Sequence, residues 1–375
     1  MSNYKKIRAV VSGGGTGGHI FPAISIADKL KELNPESEIL FVGAEGKMEM
    51  EKVPAAGYEI IGLPIVGLQR RLTVKNILND LKVPFKLIAS LHKAGNVLDN
   101  FKPDVVVGVG GYASAPLLWQ ATRKHLPTLI QEQNGFAGLT NRILAKRVGC
   151  ICVAYDGMEK FFPAGKIVMS GNPIRSDMHP YTEEDRKAGL EYYGLSPEKK
   201  HLLIVGGSLG SRTLNEAMGK WINDGCPGGD DVEILWQCGK YYKRAVDGFM
   251  AGKRTEGIIH TDFIGRMDLA YAVADVIVSR SGASSISEIC ATHKAAIFVP
   301  SPNVAEDHQT HNAKALADKG AALMVRDADA QERLMATAMT LLHDINAIKN
   351  IEENVAPLAK PDAAQTIADE IYKLI

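Results

Sequence analysis

The segment Ile7–Ile24 reads IRAVVSGGGTGGHIFPAI, and its order decides the fold. A β-branched run, Ile7–Ser12, leads into five glycines among the six residues Gly13–Gly18. An apolar stretch follows, in which Pro22 suits the first turn of a helix. Glycines let a backbone come close to a ligand, and the free N–H groups of a helix start attract anions. Strand, glycine loop and helix in this order open a parallel α/β domain.

The pattern continues outward. Ile39–Gly43, Val105–Val109, Thr128–Gln131, Cys150–Ala154 and Ile167–Met169 read as buried strands with helical patterns between most of them. After Gly171-Asn172-Pro173 it restarts with Leu202–Val205, Glu233–Trp236, Gly257–Thr261, Val276–Ser279, Ile297–Val299 and Leu323–Val325. At 375 residues the chain exceeds what one core usually serves. We therefore expect an α/β protein of two Rossmann-like, doubly wound parallel-sheet domains around a cleft. The expected divisions are 1–171, 172–361 and a separate amphipathic helix over 362–375 that packs back on the first domain.

Composition narrows the function. Lys+Arg and Asp+Glu are both 43, so no net charge favours nucleic acid. The five cysteines show no zinc-type spacing and read as reduced thiols. No signal peptide is apparent, and the longest uncharged stretch, Val105–Thr122, is broken by a Gly-Gly-Tyr-Ala-Ser-Ala-Pro turn. The chain is expected to meet a membrane only from its surface.

Two further glycine loops support a bound phosphate and sugar. Gly206-Gly207-Ser208-Leu209-Gly210-Ser211 opens the second domain as Gly13–Gly18 opens the first, and Gly108–Ser114 follows a third strand. G-x-G-x-x-G at 13, 15 and 18 also fits a dinucleotide fingerprint. The acid that fingerprint wants at the end of the second strand is displaced to Glu45, so a nicotinamide oxidoreductase ranks third. In Ser279–Glu288, small residues free a helix start for a diphosphate, Ser284 and Ser285 add hydroxyls, and Glu288 can accept both hydroxyls of a ribose. The plainer reading of Glu288 is a capping box with Ser285. In Glu306–Asn312, Gln309 and Asn312 are placed to read sugar hydroxyls and Asp307 to cap a helix.

Five ordered motifs carry a resemblance: GGGTGGHIFP (Gly13–Pro22), QEQNGFAGLTN (Gln131–Asn141), GNPIR (Gly171–Arg175), GGSLGSR (Gly206–Arg212) and SRSGASSISE (Ser279–Glu288). Together they resemble the MurG family of bacterial peptidoglycan N-acetylglucosaminyltransferases. The resemblance implies a GT-B fold, UDP-N-acetylglucosamine as donor and undecaprenyl-diphospho-MurNAc-pentapeptide as acceptor. It implies a β-1,4 link formed with inversion, with no cofactor and no metal. By motif match, donor contacts fall on Thr16, Gly17, Gly18, Asn134, Arg175, Ser208, Ile264, Ala283, Ser284, Ser285, Ile286, Ser287, Glu288 and Gln309. Gln131 stands where the family commonly has His. Thr292-His293-Lys294-Ala295 replaces the usual Ala-Gly-Leu-Pro. The runner-up activities are another GT-B enzyme on the same donor, such as a 2-epimerase, and a UDP-sugar binder without turnover.

An inverting transfer needs a base, in-line access to the anomeric carbon and stabilisation of the leaving diphosphate. His19 directly follows the glycine loop and titrates near neutral pH, which makes it the first candidate base, with Glu132 the second. The single D-x-D string, Asp327-Ala328-Asp329, reads as a helix cap rather than a metal site. Residues 64–93 carry six Lys/Arg against one acid, Asp80. Leu68, Arg70, Arg71, Leu72, Lys75 and Phe85 are expected to contact an anionic membrane. A peripheral location on the cytoplasmic face of the bacterial plasma (inner) membrane follows from the resemblance.

Overall fold

The computed structural model describes residues 4–67, 83–175, 177–207, 209–253, 256–304 and 307–375. The chain divides into two compact units, Met1–Ile174 with Pro361–Ile375, and Arg175–Lys360.

The first unit holds a seven-stranded sheet. Its strands are β1 (Arg8–Ser12), β2 (Glu38–Ala44), β3 (Glu59–Leu63), β4 (Val105–Gly108), β5 (Thr128–Glu132), β6 (Cys150–Val153) and β7 (Ile167–Met169). They lie in the order β3-β2-β1-β4-β5-β6-β7, all pairs parallel. The second unit holds β8 (Lys200–Val205), β9 (Val232–Gln237), β10 (Ile258–Thr261), β11 (Val276–Ser279), β12 (Ala295–Phe298) and β13 (Leu323–Met324). Their order is β10-β9-β8-β11-β12-β13, again all parallel. The expected doubly wound α/β class is therefore found in both units, and the one unexpected strand is β3.

The central strands are buried along their whole length because helices cover both faces; β4 (VVVG) and β11 (VIVS) have no exposed position. In the first unit one apolar layer gathers Val10, Val106, Leu117 and Ile130, and the other gathers Val11, Ile20, Val107 and Leu129. The second layer also takes in Ile367, Ala368 and Ile371, from the helix Ala363–Lys373. Tyr4 Oη donates to Asp369 Oδ1 at 2.7 Å, and Tyr372 Oη donates to the Lys5 carbonyl at 3.1 Å, which ties that helix to the start of the fold.

The strand order places the loops. It reverses between β1 and β4 in the first unit and between β8 and β11 in the second. Ligands of open parallel sheets bind outside the carboxyl ends of the strands at such reversals. The loops after these four strands are Gly13–Gly18, the run from Val109, Gly206–Ser211 and Arg280–Gly282. All four glycine-rich motifs therefore sit at a reversal point.

Candidate active site

In the first unit the glycine loop runs into a helix that starts at Gly17 and ends at Leu33. It starts earlier than Pro22 suggested, so Pro22 lies in the second turn and its missing N–H leaves the Gly18 carbonyl without its helical partner. Thr16 caps the helix start in an extended conformation, and its hydroxyl shares a 3.1 Å hydrogen bond with His19 Nδ1. Thr16, Gly17, Gly18 and His19 thus form one turn at the carboxyl end of β1.

The loop after β4 closes on that turn. Gly110 and Gly111 both have left-handed backbones, φ +91° and +79°. A Cβ at Gly111 would stand 2.4 Å from the Gly14 carbonyl oxygen, and one at Gly110 would stand 2.9 Å from His19 Cδ2 and 3.1 Å from Nε2. Only glycine permits both that conformation and that approach. The same point beside Gly110 is 3.5 Å from Gln133 Oε1, a buried acceptor with no hydrogen-bond donor among the described residues.

The QEQN motif follows β5. Glu132 is almost fully buried, and its carboxylate receives four donors. Oε1 accepts from the Asn134 backbone N–H at 3.2 Å and Asn134 Nδ2 at 3.3 Å; Oε2 accepts from the Gly138 N–H at 3.0 Å and Asn141 Nδ2 at 2.9 Å. Burial pushes its pKa up, and the four donors pull the other way. The geometry makes Glu132 a brace that folds residues 132–141 back on themselves and fixes Asn134. Gln131 Nε2 donates to Asn172 Oδ1 at 2.9 Å, and Asn172 Nδ2 donates to the Gln133 carbonyl at 3.0 Å, so the QEQN and GNP motifs are one buried network.

In the second unit the helix Ala283–Ala291 begins directly after Arg280-Ser281-Gly282. Its N-cap is Gly282, which offers no side chain, and the first-turn N–H groups are those of Ala283, Ser284 and Ser285. The capping box expected for Ser285 and Glu288 does not form, because both residues lie inside the helix. Glu288, half-buried, instead accepts from Tyr271 Oη at 3.2 Å. Burial raises its pKa, while the Arg175 guanidinium and the Tyr271 hydroxyl oppose the rise. Arg175, Tyr271 and Glu288 are therefore one electrostatic group, and Tyr271 is a member that periodicity alone did not reveal. Ile286 is buried, Ser287 Oγ donates to the Ala283 carbonyl at 2.9 Å, and Ser284 Oγ is buried with no partner among the described residues.

Gln309 braces the same loop. Ser281 Oγ donates to the Gln309 carbonyl at 2.9 Å, and Gln309 Oε1 accepts from the Ser301 N–H at 2.9 Å. Asp307 occupies the N-cap of the helix His308–Ala317 but accepts from Thr310 Oγ1 at 2.7 Å instead of capping the backbone. Ile264 is buried in the segment after β10, beside the exposed Phe263. Of the D-x-D acids, Asp329 stands at the N-cap of the helix Ala330–Leu342, as expected, but its carboxylate pairs with Arg326 at 2.7 Å rather than with the helix backbone, and Asp327 pairs with Arg280 at 2.5 Å. Among the described residues no group of three or more His, Cys, Asp or Glu is placed to hold a metal.

Ser208 and five of the expected membrane contacts, Leu68, Arg70, Arg71, Leu72 and Lys75, lie outside the described residues. Phe85 is described: it is 75% exposed near the start of the helix Val83–Phe101, with Ile88 65% exposed one turn on. No helix among the described residues is long and apolar enough to cross a membrane.

Sequence reading also missed Glu49 and Tyr112. Glu49 is wholly buried beside the glycine loop, and the Tyr112 ring lies against Gly15 and Gly67.

The chain is similar to known proteins over almost its whole length. The UDP-N-acetylglucosamine--N-acetylmuramyl-(pentapeptide) pyrophosphoryl-undecaprenol N-acetylglucosamine transferase of Parabacteroides distasonis is 51% identical over 371 residues, 99% of each chain. The enzyme of that name from Bacteroides thetaiotaomicron is likewise 51% identical, over 99% of this chain and 98% of its own. The crystal structure of Acinetobacter baumannii MurG superposes with a TM-score of 0.78 at 28% identity, covering 98% of this chain and 99% of that one. A UDP-N-acetylglucosamine 2-epimerase structure shares the fold alone, at 12% identity and a TM-score of 0.62 over 98% of this chain and 96% of its own. The glycosyltransferase family 28 N-terminal domain matches residues 9–153 and the C-terminal domain of that family matches residues 201–367. With both halves of the family present in order, one on each sheet, the chain belongs to glycosyltransferase family 28.

Proposed function

We propose that this chain transfers N-acetylglucosamine from UDP-N-acetylglucosamine to the MurNAc 4-hydroxyl of undecaprenyl-diphospho-MurNAc-pentapeptide, a step of peptidoglycan synthesis. The observation that carries the reading is full-length identity of about half with enzymes that bear this activity in their names. The fold-level likeness to a 2-epimerase carries no comparable weight.

The chemistry divides between the loops. His19 Nε2 takes the proton of the acceptor hydroxyl, since Nδ1 is committed to Thr16. The freed oxygen attacks the anomeric carbon from the face opposite the diphosphate. The bond from that carbon to the phosphate oxygen breaks with its electron pair going to UDP, and the configuration inverts. Backbone N–H groups at the start of the helix Ala283–Ala291 stabilise the leaving diphosphate. Glu288 accepts the ribose hydroxyls, with Tyr271 orienting it and Arg175 supplying positive charge nearby. Glu132 holds Asn134 towards the sugar through its four donors. No cofactor enters the scheme.

The acceptor stays in its membrane, so the enzyme works at that surface. Phe85, Ile88 and the basic run over 64–93 support docking on an anionic leaflet from the cytoplasmic side.

The test is UDP release from UDP-N-acetylglucosamine in EDTA, with and without a soluble analogue of the lipid acceptor. Acceptor-dependent release is expected. Donor binding without release, or conversion of the free donor to its 2-epimer, would overturn the assignment.

A further inference from the structure

Glu49 is the first residue of the helix Glu49–Ala55, yet its side chain makes no cap to that helix. It turns instead into the gap between the ends of β1 and β2. Oε2 accepts the Gly15 N–H at 3.0 Å and Oε1 accepts the Ala44 N–H at 3.0 Å. The carboxylate is fully buried, and no cation pairs with it among the described residues. Its place is reserved by two glycines: a Cβ at Gly14 would stand 2.1 Å from Oε1, and a Cβ at Gly43 would stand 2.6 Å from Cγ. A buried acid costs folding energy unless donors satisfy it, so a chain that keeps one here, and clears two side chains to admit it, spends stability on the loop's shape.

We infer that Glu49 is a positioning residue of the transfer reaction, acting through the glycine loop on His19. The inference rests on His19 as the base. Gly15 immediately precedes Thr16, whose hydroxyl holds His19 Nδ1. Fixing the Gly15 N–H therefore fixes the backbone from which the Thr16–His19 pair hangs. The same contact takes up the loop N–H that would otherwise be open to an anion and fills the crevice between β1 and β2. The first glycine loop is thus braced from inside by the chain's own carboxylate.

A double-mutant cycle tests this. Glu49→Gln keeps the shape but presents an amide nitrogen to one of two N–H donors. Gly43→Ala displaces the carboxylate without touching the loop, and it serves if Glu49→Gln does not fold by thermal melt. Either change is expected to lower kcat about 10- to 100-fold, the cost of a misplacement of the order of 1 Å, with donor KM unchanged. In the His19→Ala background the same change is expected to add less than about two-fold, because the group being positioned is gone. If His19→Ala is impaired but the Glu49 and Gly43 variants are not, or if their effects multiply, the positioning role is wrong and the base assignment stands. If His19→Ala turns over near normally, the base assignment falls and the positioning role falls with it.

Discussion

Thr16 Oγ1 lies 3.1 Å from His19 Nδ1, so the residue at the N-cap position of the first helix also holds the direction of the ring that follows it. In the proposed reaction proton transfer runs through His19 Nε2, the nitrogen that faces Gly110. His19→Ala is expected to lower kcat by about 10²-fold or more, the ordinary worth of a general base. Thr16→Val, which keeps the ring but releases it, should cost about 10-fold. Steady-state assays of UDP release check both.

Tyr271→Phe removes the hydroxyl that orients Glu288 but leaves the carboxylate. A hydrogen bond to a charged group is worth about 1.5–3 kcal/mol net, and the carboxylate itself stays, so donor KM should rise by the lower end of that range, about 10-fold. Glu288→Gln should raise it further, about 10-fold or more, with little change in acceptor KM. Equal effects on both substrates would place Glu288 elsewhere in the reaction.

Glu288 also leaves a signature in stability. Burial holds its carboxyl above the ordinary 4.5, so the folded chain keeps this proton more tightly than the unfolded chain. The group's stabilising contribution is fully present below about pH 4.5 and is lost as pH rises through its higher folded value. Urea melts of the unliganded chain across that window should lose stability less steeply for Glu288→Gln than for the parent.

Docking on lipid is expected to need the exposed apolar pair on the helix Val83–Phe101. Phe85→Asp with Ile88→Asp should weaken binding to anionic vesicles about 10-fold or more and leave turnover of a soluble acceptor intact. Raising salt should weaken the parent in the same assay. Equal binding of the parent to neutral vesicles would contradict the charge argument.

Much of this fold was legible because buried parallel strands advertise themselves as β-branched runs; nine of the thirteen residues of β1, β4 and β11 are Val, Ile or Ala. β3 was not, since Glu59 and Gly62 interrupt its apolar run. Gly62 looks like a turn residue, but it is small because a Cβ there would stand 2.7 Å from Glu45 Cγ. At the site, residues that act through neighbours in sequence were readable: Thr16 and His19 are three apart, and Ala283–Glu288 is one helix start. Residues whose partners lie far off in sequence were not. Tyr271 reaches Glu288 from another helix, and Glu49 reaches Gly15 from beyond β2. The trace of Glu49 in the sequence is a pair of partners made small, Gly14 and Gly43, which periodicity cannot separate from an ordinary turn.

The helix Ala363–Lys373 gives a further prediction. Ile371 is wholly buried in the layer that holds Ile20 and Val107, and truncating an isoleucine in such a core costs about 2–5 kcal/mol. Ile371→Ala should lower the melting temperature of the whole chain, and a circular dichroism melt reads it directly.

That helix also constrains how the molecule is born. The first 174 residues leave the ribosome with one apolar layer missing its last piece, because Ile367, Ala368 and Ile371 are still to be translated. The second unit, Arg175–Lys360, is contiguous and emerges whole. Synthesis therefore delivers the later unit complete while the earlier one waits for residues 363–373, and a nascent chain stalled before residue 363 would expose the very surface that holds the glycine loop's helix in place.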